Sequence, residues 1–398
     1  MNMNYTFSDR ISNLHPSAIR EILKNSDPNV ISLAAGNPAV ESFPVKEMQE
    51  IANDIFENNA GFAFQYGITE GYPRLRQLVM QRQKEKYGIG TEDDDIMIIS
   101  GGTQAMDLST KVLVNEGDTI LSEDPAFVGA LNTFRSYNAH LVGIPMQDDG
   151  MDIEALEKAL EENKNVKLLY TIPSFQNPLG TCTSLEKRKA IYALCRKHGV
   201  MILEDNPYGE LRFDGEDIPT LKSMDTEGIV IYTSSFSKVM SAGIRLGFVI
   251  APKPILDKMA VGKQAVDTHS NLFFQILIAD FMEKYDYDGH IQMIRDLYRH
   301  KSGLMLDEIR KGFPKSVKYT VPQGGLFLWC TLPKGADMLK FVQFAKEKGV
   351  AIVPGIAFNV VEGSPSQCFR LNYSTPTDEK LVAGTKLLGE ALHEFLGE

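Results

Sequence analysis

A lysine set among small hydroxyl side chains, Ser235-Phe-Ser237-Lys238, is followed seven positions later by Arg245. A sheltered amine of this kind captures an aldehyde as a Schiff base, and the serines and arginine remain to hold an anion such as a phosphate. Alone, the motif reads equally as a solvated lysine in a polar loop. Residues earlier in the chain change that balance. Asp205 stands three positions before Tyr208, Asn177 precedes a proline, Phe127 closes the run Ser-Glu-Asp-Pro-Ala-Phe, and Gly101-Gly102-Thr103-Gln104 forms a glycine-rich turn. An aldehyde cofactor with a protonatable pyridine nitrogen and a phosphate needs five things from a protein. They are a lysine, a carboxylate at the nitrogen, donors to the ring oxygen, a stacking aromatic and an anion cradle. Lys238, Asp205, Asn177 with Tyr208, Phe127, and residues 101–104 with Ser235, Ser237 and Arg245 supply one of each. Singly they have ordinary readings: a helix-start acid, a core tyrosine, a turn asparagine, a plain strand-to-helix turn. Their joint occurrence is harder to explain that way.

The elements that must position them are short apolar runs. Strands are expected at 96–99, 119–122, 141–144, 166–172, 200–203, 229–233 and 246–250, with amphipathic helices between several of them. The helix over 184–198 has Thr183 and Glu186 at capping-box spacing and Gly199 as its stop. All-apolar strands alternating with helices predict an α/β fold with a mostly parallel sheet covered on both faces, a three-layer arrangement. Ligands of such sheets bind beyond the carboxyl ends of the strands, where Phe127, Asn177, Asp205, Tyr208 and Lys238 all fall. Beyond about residue 280 the pattern changes to longer helices (291–313, 377–396) and strands at 318–321, 326–330, 350–353 and 367–372. This predicts a large domain over 45–285 and a smaller α+β domain from 1–44 plus 286–398. A short N-terminal helix is expected from Pro16 or Ser17, with Ile19, Ile22 and Leu23 at helical spacing. Gly36, in a Gly-Asn-Pro turn, either lets backbone approach a ligand or simply makes the turn.

Composition bounds the partners. The chain has 398 residues, 43% apolar and 23% charged, with a net charge of −11. That charge argues against nucleic acid, so an anion must be held by a few local donors. No signal peptide or membrane-length apolar stretch is evident. Cys182, Cys195, Cys330 and Cys368 are scattered, as are the seven histidines, so free thiols in the cytoplasm are expected and no metal site is proposed.

At these residues the sequence resembles the pyridoxal-phosphate enzymes of the aspartate aminotransferase fold, class I/II, and within them the 2-aminoadipate and kynurenine aminotransferase branch. The resemblance runs from Ile31-Ser-Leu-Ala-Ala-Gly36 to Phe369-Arg-Leu-Asn-Tyr373, with Asp205 28 residues after Asn177 and Lys238 33 residues after Asp205. It implies pyridoxal 5′-phosphate held on Lys238, which also shuttles the substrate proton. Asp205 would keep the pyridine nitrogen protonated, Tyr208 and Asn177 would bond the ring oxygen, and Phe127 would stack on the ring. Arg370 would take the substrate α-carboxylate in a bidentate fork, and Gly36 would line the substrate pocket. Tyr66 would reach the phosphate of a neighbouring subunit, implying a homodimer with shared active sites. Gly102 departs from relatives that carry a hydroxyl there, which shifts weight to Thr103, Ser235 and Arg245. Arg20 matches a helix that covers the pocket in the aminoadipate branch, where it binds a distal carboxylate or is merely solvated. The reaction implied moves an amino group from 2-aminoadipate, glutamate or an aromatic amino acid to a 2-oxo acid such as 2-oxoglutarate, by a ping-pong mechanism. The same constellation serves carbon–sulfur lyases and other eliminating enzymes. Bacterial regulators use the fold for effector sensing, but they carry an N-terminal winged helix that is not expected in this chain.

Overall fold

The computed structural model describes residues 5–12, 14 and 29–398. The expected helix from Pro16 or Ser17, with Arg20, lies outside the described residues.

After a two-residue strand, β1 (Ile31–Ser32), the chain builds its main sheet from eight strands. They are β2 (Asp94–Ile99), β3 (Thr119–Asp124), β4 (His140–Gln147), β5 (Gly150–Met151), β6 (Val166–Thr171), β7 (Met201–Asp205), β8 (Val230–Ser235) and β9 (Gly247–Pro252). Their order is β2-β9-β8-β7-β6-β3-β4-β5. From β8 to β4 the neighbours pair in parallel, while β5 and β9 run antiparallel to their partners. The sheet is mostly parallel, as expected.

Successive strand residues face opposite sides. Ile120, Leu168, Leu203 and Ile231 join one buried cluster with Met106 and Leu108 of the helix Gly102–Leu113. Leu121, Leu169, Ile202 and Val230 join another with Leu156 of the helix Ile153–Glu162 and Ile191 of the helix Leu185–His198. Two apolar faces require two helical covers, which gives the three layers. The helix Leu185–His198 stops at Gly199 (φ +67°) as expected, but its cap is Ser184, whose Oγ accepts the Lys187 N–H at 3.4 Å. Thr183 is held outside the helix, because its N–H donates to Pro173 O at 2.8 Å and its carbonyl accepts from Arg188 Nε at 3.0 Å.

A second, antiparallel sheet follows in the order β10-β11-β14-β13. The strands of this half are β10 (Lys318–Tyr319), β11 (Phe327–Thr331), β12 (Val350–Ala351), β13 (Val353–Pro354) and β14 (Cys368–Asn372). The single strand expected over 350–353 is therefore two. β12 pairs with β1 and β13 with β14, the chain changing sheets at the buried Ile352. The apolar run continues through the switch, so the sequence pattern conceals it. The long helix starts at Tyr287, earlier than expected, because Asp286 caps it by accepting the Gly289 N–H at 2.8 Å.

Strand register sets up the site. Tyr170 lies opposite Leu203, and Asp205 opposite Thr233, so the carboxyl ends of β6, β7 and β8 align. Gly247 on β9 pairs with both Ile99 and Ser235, the strand ends that lead to Gly101 and Lys238. A Cβ on Gly247 would stand 2.6 Å from Ser234 O, so the close approach of these ends requires a glycine.

Candidate active site

Beyond β2 the chain turns at Gly101 (φ +87°) into the helix Gly102–Leu113, whose N-terminus carries no side-chain cap. Only glycine takes that φ cheaply, and a Cβ there would run into the Arg245 guanidinium. Gly102 and Thr103 line a cavity of about 340 Å³ with Ser235, Ser237 and Arg245. Arg245 Nη1 donates to Ser237 Oγ at 3.3 Å and to Ala242 O at 3.4 Å. An uncapped helix start, three hydroxyls and a guanidinium form an anion cradle. Gln104 is not among its lining residues. Its Oε1 accepts from the Ser100 N–H and from Lys263 Nζ, each at 2.8 Å, and its Nε2 donates to Asp267 at 2.9 Å.

Asp205, the last residue of β7, is buried and accepts the Tyr170 hydroxyl at 2.9 Å through Oδ2. Oδ1 lies towards Gly102, where an added Cβ would be 3.9 Å away. Burial pushes the Asp205 carboxyl up to about 7, although the Tyr170 hydrogen bond and the Lys238 ammonium hold it down. Lys238 Nζ donates to Gly36 O at 2.8 Å. Burial, then the charges of Arg370 and Arg245, bring Lys238 down to about 8, so a neutral, nucleophilic amine is accessible near physiological pH.

A polar chain crosses the far side of the cavity. Asn177 Nδ2 lies 3.5 Å from the Tyr208 hydroxyl, and its Oδ1 accepts from Arg370 Nη1 at 2.8 Å. Arg370 Nη2 donates to Ala34 O at 2.9 Å, and the guanidinium is stacked 4.1 Å from the Phe327 ring and 5.0 Å from that of Phe358. Its buried Nε has no partner among the described residues. Burial lowers the Arg370 guanidinium to about 10. Gly36 fits against Phe327, where a Cβ would be 3.1 Å from the ring. Phe127, at the start of the helix Val128–Arg135, completes the wall.

Thus Gly36, Gly102, Thr103, Phe127, Asn177, Asp205, Tyr208, Ser235, Ser237, Lys238, Arg245 and Arg370 surround one cavity. Gly101 shapes the turn behind it. Tyr66 stands apart, 81% exposed and edge-on to His269, beside the exposed Phe64. Arg20 lies outside the described residues. Sequence reasoning missed Tyr170 and Glu123. The buried Glu123 carboxylate accepts from Thr171 Oγ1 (2.6 Å), the Ile172 N–H (3.1 Å) and Gln176 Nε2 (2.9 Å), anchoring the loop that carries Asn177. The available signal was a polar side chain at the end of each of two apolar runs.

A profile of the family described as aminotransferase class I and II matches residues 28–384. The chain is 40% identical to aromatic-amino-acid aminotransferase 1 of Thermococcus litoralis over 98% of its own length and 94% of that protein's. It is 36% identical to the 2-aminoadipate transaminase of Thermus thermophilus, over 98% of this chain and 97% of that protein. Among solved structures it superposes, with a TM-score of 0.90 and 35% identity, on the α-aminoadipate aminotransferase LysN of Thermus thermophilus complexed with N-(5′-phosphopyridoxyl)-L-leucine, covering 98% of both chains.

Proposed function

The chain belongs to the class I and II aminotransferases, and from that premise we propose that it moves an amino group from an L-amino acid of 2-aminoadipate, glutamate or aromatic type to a 2-oxo acid such as 2-oxoglutarate, in two half-reactions on pyridoxal 5′-phosphate. The donor set fits this cofactor. A buried carboxylate with one hydroxyl partner suits a cationic ring nitrogen, and the uncapped helix start with Arg245 suits a phosphate. The unpartnered Arg370 Nε suits a substrate carboxylate. When bound, the cofactor supplies an aldehyde for the amino group and a protonated ring that withdraws electrons from the substrate Cα.

The chain's own residues then divide the work. Lys238 would hold the cofactor through its amine and, when freed from it, its Nζ would take the proton from the substrate Cα. Asp205 would pair as a carboxylate with the ring nitrogen and hold its proton there. Tyr208 and Asn177 would donate to the ring oxygen, and Phe127 would stack on the ring. Gly102, Thr103, Ser235, Ser237 and Arg245 would hold the phosphate. Arg370 orients the α-carboxylate from its stack between Phe327 and Phe358, while Gly36 leaves room for the substrate. Tyr66 serves the phosphate of a partner subunit in a homodimer, a reading supported by its exposure within an aromatic patch with Phe64. Arg20 is the candidate for a distal substrate carboxylate.

The observation that carries the proposal is the convergence of Asp205, Lys238 and the Asn177–Arg370 pair on one cavity at the aligned strand ends. It is tested by adding single amino acids to the cofactor-loaded protein without any oxo acid. Loss of the bound cofactor's visible absorbance, with one oxo acid released per site, is the expected result. Release of ammonia or a thiol instead would identify an eliminating enzyme.

A further inference from the structure

The cradle turn is secured from behind by groups that do not line the cavity. Lys263 is fully buried at the end of the helix Lys253–Gln264, and its Nζ lies 2.8 Å from both carboxylate oxygens of Asp267, 2.8 Å from Gln104 Oε1 and 3.0 Å from Ser270 Oγ. Asp267 Oδ2 in turn accepts from Ser100 Oγ at 2.6 Å and Gln104 Nε2 at 2.9 Å. Gln104 Oε1 also accepts the Ser100 N–H at 2.8 Å, closing residues 100–104 into a ring. Two residues of that ring, Gly102 and Thr103, line the cavity. A buried cation with one buried-side carboxylate is costly unless its geometry is fully satisfied. Here every polar atom of the Lys263, Asp267 and Gln104 side chains is engaged, and the network joins the turn to the segment 263–270.

We propose that Gln104, Lys263 and Asp267 are positioning residues for the anion cradle. Through the ring that Gln104 closes with Ser100, they fix the orientation of the Gly102 and Thr103 backbone N–H groups, on which recognition of a phosphate depends. This rests on the reading of the cradle as the phosphate site.

The test measures equilibrium binding of two aldehydes to the cofactor-free protein: pyridoxal 5′-phosphate and pyridoxal, which lacks the phosphate. Gln104→Leu keeps the side-chain volume and removes both bonding atoms, and Asp267→Asn removes the charge that Lys263 neutralises. Each is expected to weaken binding of the phosphorylated aldehyde about tenfold or more, in line with loss of a charge-assisted contact, while pyridoxal binding stays within about twofold. The preference for the phosphorylated form therefore collapses. Proportional weakening of both aldehydes would reveal a general structural role and overturn the proposal, as would an unchanged preference. If Asp267→Asn does not fold, Gln104→Leu alone decides. If the unsubstituted protein itself shows no preference for the phosphorylated aldehyde, the phosphate reading of the cradle fails rather than the network.

Discussion

Two lysines, one buried and one half-buried at the cavity wall, make an instructive pair. Lys222 lies between Asp94 (2.7 Å) and Asp225 (3.0 Å), with all three side chains buried. Its partners are saturated in their turn. Asp94 accepts from the Thr91 N–H and hydroxyl, and Asp225 from the Tyr192 hydroxyl and the N–H groups of Glu227, Ile229 and Val230. Burial pushes the Asp225 carboxyl up, but the Lys222 ammonium and these donors outweigh it, so its pKa falls below the usual value. Lys238 has one carbonyl partner and two cations nearby, and it is depressed. Charge that is fully paired holds the fold, whereas charge with free valences marks the site, because only the latter gains by meeting a ligand.

The sharpest way to break this contrast is to delete each amine. Lys238→Ala is expected to lower kcat on the order of 10⁴-fold or more, since both the nucleophile and the proton carrier are lost, with the melting temperature of the cofactor-free protein unchanged or raised. Lys222→Ala is expected to cost roughly 3–5 kcal/mol of stability by stranding two buried carboxylates. Denaturant titration and steady-state kinetics of the two variants check both. If Lys238→Ala destabilises as much as Lys222→Ala, the distinction between structural and functional charge fails. Next in size is Arg370→Lys. A point charge cannot replace the planar fork or its stacking on Phe327, so kcat/KM is expected to fall about 10²-fold or more, a loss of about 3 kcal/mol. The same substitution at a solvated arginine would be silent.

Asp205 offers a pH test of the same idea. Its folded-state pKa, about 7, lies above the ordinary carboxyl value of 3.8, so between these values the folded protein binds the extra proton. Stability from this group is full at low pH and is lost as pH rises through about 7. Asp225, whose folded pKa is depressed, has the opposite sign, and its contribution is lost on acidification. Cofactor-free Asp205→Asn is therefore expected to be more stable than the unsubstituted protein above pH 7, by an amount on the order of a few kcal/mol at most. Melting curves across pH 4–9 should show the slope between pH 4 and 7 flattened in the variant. A retained slope would assign it to other groups, such as Glu123, which burial also raises to about 7.

How much of this was legible in the sequence follows from the range of the forces involved. The main-sheet strands were readable because burial on both faces makes each one an apolar run, and the site residues because they are the polar types that terminate those runs. Tyr170 and Glu123 also end such runs, but their roles went unread because they depend on the register of β3, β6 and β7, which brings Tyr170 to Asp205 from 35 positions away in sequence. Gln104 was misread through adjacency. A helix turns about 100° per residue, so the neighbour of a cradle residue can point away, as this side chain does towards Lys263. The cap of the helix Leu185–His198 moved by one residue because Thr183 and Ser184 are chemically equivalent, and only contacts with Pro173 and Arg188 choose between them.

The smallest expected effect tests the cradle itself, where two adjacent glycines have different reasons to be glycine. Gly101 needs φ +87°, and a Cβ on it would strike the Arg245 guanidinium, so Gly101→Ala combines backbone strain with displacement of an anion ligand. Gly102 is under neither constraint. Its φ is not positive, and an added Cβ would meet only Asp205 Oδ1, at an ordinary 3.9 Å. Gly102→Ser should therefore be accommodated and should place a hydroxyl at the helix start beside Thr103. A hydrogen bond to a charged group is worth at most about 1.5–3 kcal/mol, much of it offset by the existing donors, so affinity for pyridoxal 5′-phosphate is expected to rise only about threefold. Fluorescence titration of the cofactor-free variants would measure this directly. A Gly102→Ser protein that binds as poorly as Gly101→Ala would mean that the open space at Gly102 is needed by the ligand, and that the cradle works through backbone N–H groups alone.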